Sequence, residues 1–198
     1  MIYSEYIDRD RALPLEIFRY LARQEYWTGE GDEKVVNIGR TKTIGPRHGY
    51  LSCWRIKDIS RMDEWEAYFR SEESLRDVTE RATFHALDFQ RAGLHDELLL
   101  TPLPDDGLHY VEFFQAGEEV SDDELREHFA GRAKAYGDGC LKVLLRRVGL
   151  LAPEPGDIAI WSFADYVAVE PIVRERHGGH PLRPRAAGLY RNIGFESI

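Results

Sequence analysis

Runs of β-branched, aromatic and aliphatic residues alternate along the chain with polar, turn-forming segments, and this punctuation divides it into short elements. MIYSEYI at the start reads as a strand closed by the charged DRDR. Pro14 then opens a helix in which Ile17, Phe18, Leu21 and Ala22 recur at helical spacing. KVVNIGRTKTI and YLSCWRI form a β-hairpin about GPRHG, and LKVLLRRVGLL and DIAIWSF form another about APEPG. His48, in the first of these turns, is read as solvent-exposed. Asp58 and Asp165 stand where an N-cap would accept backbone N–H groups of a following helix. Two helical stretches, DEWEAYFRS and VTERATFHALDFQRAG, fill the region from Met62 to Gly93.

The two hairpins belong to a longer repeat. Sliding the sequence along itself by 107 positions (3 to 110, 54 to 161) lays MIYSEY over LHYVEF, pairing Tyr3 with Tyr110 and Glu5 with Glu112. At the same offset the segment from Arg40 lies over the segment from Arg147 without a gap. Arg40/Arg147, Pro46/Pro153, Gly49/Gly156, Trp54/Trp161 and Asp58/Asp165 are identical pairs. The chain therefore reads as two tandem βαββαβ units, 1–104 and 105–198, joined at the turn-rich LPDDG. LHDELLLTP closes the first unit and GLYRNIGFESI the second, whose late helical region is shorter.

A βαββαβ unit makes an antiparallel sheet with its helices on one face and leaves the other face apolar. Two units in one chain cover each other, sheet to sheet, as an intramolecular α+β barrel with helices outside. KVVNI, VLLRRVGLL and IAIWSF are apolar on both alternations, as burial of both sheet faces requires. With its first strand MIYSEY, the hairpin ending YLSCWRIKD, the helix start DEWEAYFRSEE and the later helix TERATFHALDFQ, the chain resembles the dimeric α+β barrel superfamily. That ferredoxin-like group includes antibiotic-biosynthesis monooxygenases, NIPSNAP-like and EthD-like proteins. The resemblance spans both units and lies in pattern, so it implies a fold more directly than a reaction.

Charge and composition narrow the partners. Thirty-five acidic against twenty-six basic residues give a net charge of −9, which repels a phosphate backbone and excludes nucleic acid. The arginines between Pro171 and Ile198 read as a solvated turn, with a local anion site as the alternative. Two cysteines, Cys53 and Cys140, fall short of a disulfide framework or metal knuckle and suit a reducing compartment. No export signal and no apolar run long enough for a bilayer is present, so the expectation is a cytoplasmic protein with no membrane partner. Twenty-one Arg against five Lys fits a bacterial genome rich in GC.

No Walker loop, G-x-G-x-x-G, H-E-x-x-H or G-x-S-x-G is present, which disfavours nucleotide cofactors and serine hydrolysis. His177 and His180 are three apart, but neighbouring glycines oppose a helix and no third ligand is evident, so no metal site is expected. On a helix from Val78 to Ala92, Val78, Ala82, His85, Phe89 and Ala92 share a stripe, and His85 faces inward. A lone inward histidine is commonly a hydrogen-bonded core residue. The second unit offers no equivalent, which favours a role for this one. The resemblance places such a histidine in a pocket between sheet and helices, where it would act as acid or base or bind iron; both roles remain open.

Tyr3, Tyr50, Trp27, Trp54, Trp65 and Phe89, with Arg40 and Glu5, are candidates to line that pocket. Core packing is the rival account, strongest for Trp54, Glu5 and Arg40, whose counterparts Trp161, Glu112 and Arg147 point to a structural device used twice. The resulting expectation is a small-molecule enzyme of the cofactor-independent monooxygenase or isomerase/cyclase kind, as in secondary metabolism, acting on an apolar or aromatic molecule. His85 would be acid or base, Tyr3 or Tyr50 would orient the substrate, and the tryptophans would form walls. The alternatives are a haem protein with His85 as axial ligand and a non-catalytic binding or assembly module. Because the dimerisation surface of single-unit relatives is filled within the chain, a monomer is feasible and a further homodimer is compatible.

Overall fold

In the computed structural model of the chain, which describes residues 1–9, 32–41, 48–70, 91–137, 139–148, 156–175 and 180–192, strand β1 (Ile2–Arg9) pairs on both sides. It runs antiparallel to β3 (His48–Arg55) along its whole length and to β4 (Arg91–Leu100) from Ile2 to Tyr6. With β2 (Glu33–Arg40) beside β3, the first four strands lie in the order β4-β1-β3-β2. After a turn at Asp105 and Asp106, β5 (Leu108–Phe114), β6 (Leu141–Arg147), β7 (Asp157–Phe163) and β8 (Ala186–Asn192) take the matching order β8-β5-β7-β6. The two sets join edge to edge, β2 to β8 and β4 to β6, closing an eight-stranded antiparallel barrel.

The expected α+β barrel is thus present, and the halves meet by strand pairing as well as by their faces. Each set alone would leave the backbone groups of β2 and β4, or of β6 and β8, unpaired, and closure removes those edges. The parallel between the sets extends to their irregularities. β2 is bulged against β3 between Lys34 and Val36, and β6 is bulged against β7 between Leu141 and Val143, the same offset of 107 (34 to 141, 36 to 143).

Every residue of β5 and of β7 is buried, so both faces of these strands are covered. One face contributes to a core shared by both halves inside the barrel, where Tyr6, Val36, Leu51, Val111, Phe113 and Ile158 meet. The other face packs beneath helices α2 (Asp122–Tyr136) and α3 (Tyr166–Val173) through Leu125, Phe129, Val169 and Ile172. Ser121 starts α2 with a capping box: its side chain accepts from Glu124 N, and the Glu124 carboxylate accepts from Ser121 N. Asp165 caps α3 by accepting from Val167 N and Ala168 N, both at 2.9 Å, as expected.

Three local expectations change. Asp58 caps a turn and not a helix: its carboxylate accepts from Ser60 N at 2.9 Å, and helix α1 (Arg61–Arg70) begins after that turn. His48 belongs to β3, opposite Arg9, and not to the hairpin turn. Arg91, Ala92 and Gly93, placed by periodicity at the end of a helix, are strand, because Ala92 pairs with Glu5 and Gly93 with Ser4. Ladder pairing outweighs a helical period in a short apolar segment.

Among the described residues no helix is long and apolar enough to cross a membrane. Deep in the barrel, His95 donates through Nε2 to Gly156 O at 2.8 Å and ties the two halves together. Burial pushes its imidazole down to about 4, so it is neutral near pH 7.

Candidate active site

Side chains alternate across a strand, so the register of β1, β3 and β2 decides which residues share a face. Tyr3 is opposite Trp54 and Glu5 opposite Ser52, while Lys34 is opposite Trp54 and Asn37 opposite Ser52. Tyr50, two residues before Ser52, lies on the same face, which is the outer face of the barrel. Of the residues expected to line a pocket, Tyr3, Glu5, Tyr50 and Trp54 are therefore brought together. Arg40 is not: two residues beyond Ile38, it lies on the same, barrel-core face of β2, at the β2–β8 seam opposite Tyr190, where its Nη2 donates to Ala187 O at 3.3 Å. Trp65 has its backbone in α1, and Trp27, His85 and Phe89 fall outside the described residues, as does the Trp65 side chain.

Glu5 is the chemical centre of this face. It is 1% exposed, and Tyr3 Oη donates to its Oε1 at 2.9 Å, whereas Oε2 has no hydrogen-bond partner among the described residues. Burial raises its carboxyl to about 7, against the smaller opposing pull of the Tyr3 hydroxyl and the Lys34 charge. Lys34 Nζ lies 5.2 Å from the centroid of the Trp54 ring and donates to Tyr50 Oη at 3.3 Å. Its amine is lowered to about 8 by burial, which the Glu5 charge only partly offsets. Tyr50 donates in turn to Asn37 Oδ1 at 2.6 Å, and burial keeps both Tyr3 and Tyr50 protonated well above their ordinary range. The face thus holds an acid and a base that both titrate near neutrality, two tyrosine hydroxyls and an aromatic wall.

The other half shows what the same framework looks like when closed. Glu112, at the position of Glu5, accepts from Trp161 Nε1 at 2.9 Å and from Arg132 Nη1 and Nη2 at 2.9 and 2.8 Å. Arg132 also binds Glu175 at 2.6 Å, and its guanidinium lies 5.0 Å from the Trp161 ring centroid. Burial disfavours that guanidinium's charge, but the two carboxylates more than compensate and hold it protonated. Each half therefore combines carboxylate, tryptophan and cation, from α2 in the second half and from β2 in the first. In the second half the bidentate geometry saturates the carboxylate. Moving back by the same offset, Arg132 corresponds to Glu25, so the first half has no arginine in that sequence position.

Lys34, Asn37 and Ser52 were not among the expected site residues. A signal for them exists: at the offset of 107 they correspond to Leu141, Leu144 and Ala159, three polar-for-apolar differences on one face. Lys34 and Asn37 also line a cleft of about 520 Å3 at the end of the barrel, bounded by Arg55, Leu100, Leu103 and Asn192. Among the described residues no group of three or more His, Cys, Asp or Glu side chains converges to hold a metal ion.

No protein-family model matches the sequence. No curated protein matches it either. Solved structures do match. A "putative monooxygenase" from Lactobacillus acidophilus NCFM superposes with a TM-score of 0.52 over 96% of this chain and 91% of that one, at 9% identity. An anthrone oxidase-like protein superposes with a TM-score of 0.60 over 98% of this chain and 91% of that one, also at 9% identity. At such identity the likeness is one of fold, and the chain has the α+β barrel of these proteins.

Proposed function

We propose that the chain is a cytoplasmic enzyme of the monooxygenase type, acting without a resident cofactor on a small apolar or aromatic molecule at the outer face of the first four strands. One observation carries this reading. A fully buried carboxyl, Glu5, is held near 7 and left half unsatisfied by the described residues, on a face whose counterpart is sealed by Arg132. A structural carboxylate is saturated, as Glu112 is; an acid–base group must be able to exchange its proton. The names of the two structural neighbours support the same class of chemistry.

In this reading Glu5 takes a proton from an acidic O–H or C–H of the substrate. The Lys34 cation and the Tyr3 hydroxyl then stabilise the anion that forms, and Tyr50 and Trp54 orient the ring. An electron-rich anion of this kind is itself the reductant for oxygen, so no bound redox group is required. His85 is a second acid–base candidate on the segment between α1 and β4. Oxygen uptake with a panel of phenols and aryl ketones tests the proposal: it should be stimulated by at least one compound and lost in Glu5→Gln. Undiminished uptake in that variant would overturn it. Adding haemin separates the haem alternative, since a shifted Soret band that disappears in His85→Ala would favour iron ligation.

We further infer that the halves, 1–104 and 105–198, descend from one duplicated unit. The shared strand order and the bulges at equal offset support this.

A further inference from the structure

We infer that the outward face of helix α3 is a homodimer interface, on which a second copy of the chain packs its own α3 antiparallel about a two-fold axis beside Val167. This concerns assembly and does not depend on the oxygenase reading. Helix α3 reads YVAVEPIV, and its inward stripe, Val169 and Ile172, is buried in the core beneath the helices. The opposite stripe is apolar as well. Ala164, just before the helix, and Val167, Ala168 and Pro171 recur at helical spacing and are all exposed, Val167 at 78%. A surface helix ordinarily turns polar residues outward, so a second apolar stripe marks a surface that another protein surface covers.

The surface fits its own copy. Ala164 and Ala168 also line a hollow of about 520 Å3 between α3, the end of α2 and the linker, walled by Phe163, Tyr136 and Pro104. In an antiparallel pair Val167 of one copy lies over Ala168 of the other, beside that hollow, so each copy supplies both a projecting side chain and a recess. The charges suit the same arrangement. At one end of α3, Asp165 caps the helix through Oδ1, which leaves Oδ2 for another donor. At the other end the Arg174 side chain is 77% exposed, and its Nε binds Glu170 Oε1 at 2.6 Å, which holds the guanidinium on the outward face. Two-fold pairing brings Arg174 of each copy to the Asp165 end of the other, twice in one interface. The contact is one helix and the rim of a hollow, smaller than a standard interface, so the dimer is a weak one in the micromolar range.

Sedimentation tests the proposal on the whole chain. The native protein should be a dimer at about 200 μM, and Val167→Asp should weaken the association at least about tenfold, because each copy then buries an unpaired carboxylate beside the axis. Ile59, 52% exposed on the turn before α1, supplies the control: Ile59→Asp should leave the association unchanged. A native chain that stays monomeric at that concentration, an undiminished dimer in Val167→Asp, or an equal loss in Ile59→Asp would each overturn the inference. Val167→Cys reads the same contact without introducing a charge, since a residue beside a two-fold axis meets its own copy. Mild oxidation should link two copies of that variant through a disulfide at least about tenfold faster than it links Ile59→Cys, while Cys53 and Cys140 are buried and stay out of the reaction. Equal rates in the two cysteine variants would overturn the antiparallel arrangement. Oxygen uptake is read separately, so either proposal can fail alone.

Discussion

Trp161 Nε1 donates to Glu112 Oε2 at 2.9 Å, and the same carboxylate is gripped by two nitrogens of Arg132, so three side chains from β7, β5 and α2 form one buried unit. The Arg132 side chain is 9% exposed and that of Glu112 is fully buried. Removing one partner of such a pair leaves an uncompensated charge. Arg132→Met should cost about 3–5 kcal/mol in urea denaturation. Glu112→Gln added to it should recover much of that loss, because no buried anion remains while Trp161 keeps an acceptor.

Glu5 should behave in the opposite way. Its folded-state pKa of about 7 exceeds the ordinary 4.5, so between these values the folded chain binds more protons than the unfolded one. Stability contributed at this site is therefore present below pH 4.5 and is lost as pH rises to about 7, by on the order of 3 kcal/mol. His95, lowered to about 4, acts with the opposite slope between 4 and 6.5, so the raw profile of the native chain mixes both. The difference between Glu5→Gln and the native chain isolates the carboxyl. The variant should gain stability at pH 7.5 relative to pH 5, and equal differences at the two pH values would show that Glu5 is not held protonated.

The sequence makes most of this architecture legible, because strand identity and pairing follow from period-two patterns and from a single offset that aligns Tyr3, Trp54 and their counterparts. Edge-to-edge closure was less legible: nothing local in Ile38 or Asn192 says that they are partners. At the site, identity of residue does not fix the partners. Glu5 and Glu112, or Trp54 and Trp161, match in sequence yet are held differently, since the cation beside them is supplied by a different element in each half. Differences of type at Lys34, Asn37 and Ser52 carried the information instead.

Those differences can be reversed. Lys34→Leu with Asn37→Leu and Ser52→Ala gives the first face the apolar residues of the second. The triple variant should keep the barrel's circular-dichroism spectrum, melt no lower than the native chain, and lose oxygen uptake. Retained turnover would place the chemistry elsewhere.

Separating the halves tests the closure. Residues 1–104 expressed alone would expose β2 and β4 as unpaired edges together with the apolar inner face. Sedimentation should find that fragment paired or aggregated, and mixing it with 105–198 should restore a 1:1 complex. A well-folded, monodisperse monomer of either fragment would contradict the account.

Joining both halves in one polypeptide changes how the molecule can vary. In a barrel assembled from two identical subunits, any mutation is stamped on both sides at once, so a change that empties a cavity on one side weakens its mirror image as well. Here the sides are inherited separately. One is free to remain a rigid buttress, locked by its arginine, while the other varies, and the chain can change one face without forfeiting the strength of the other.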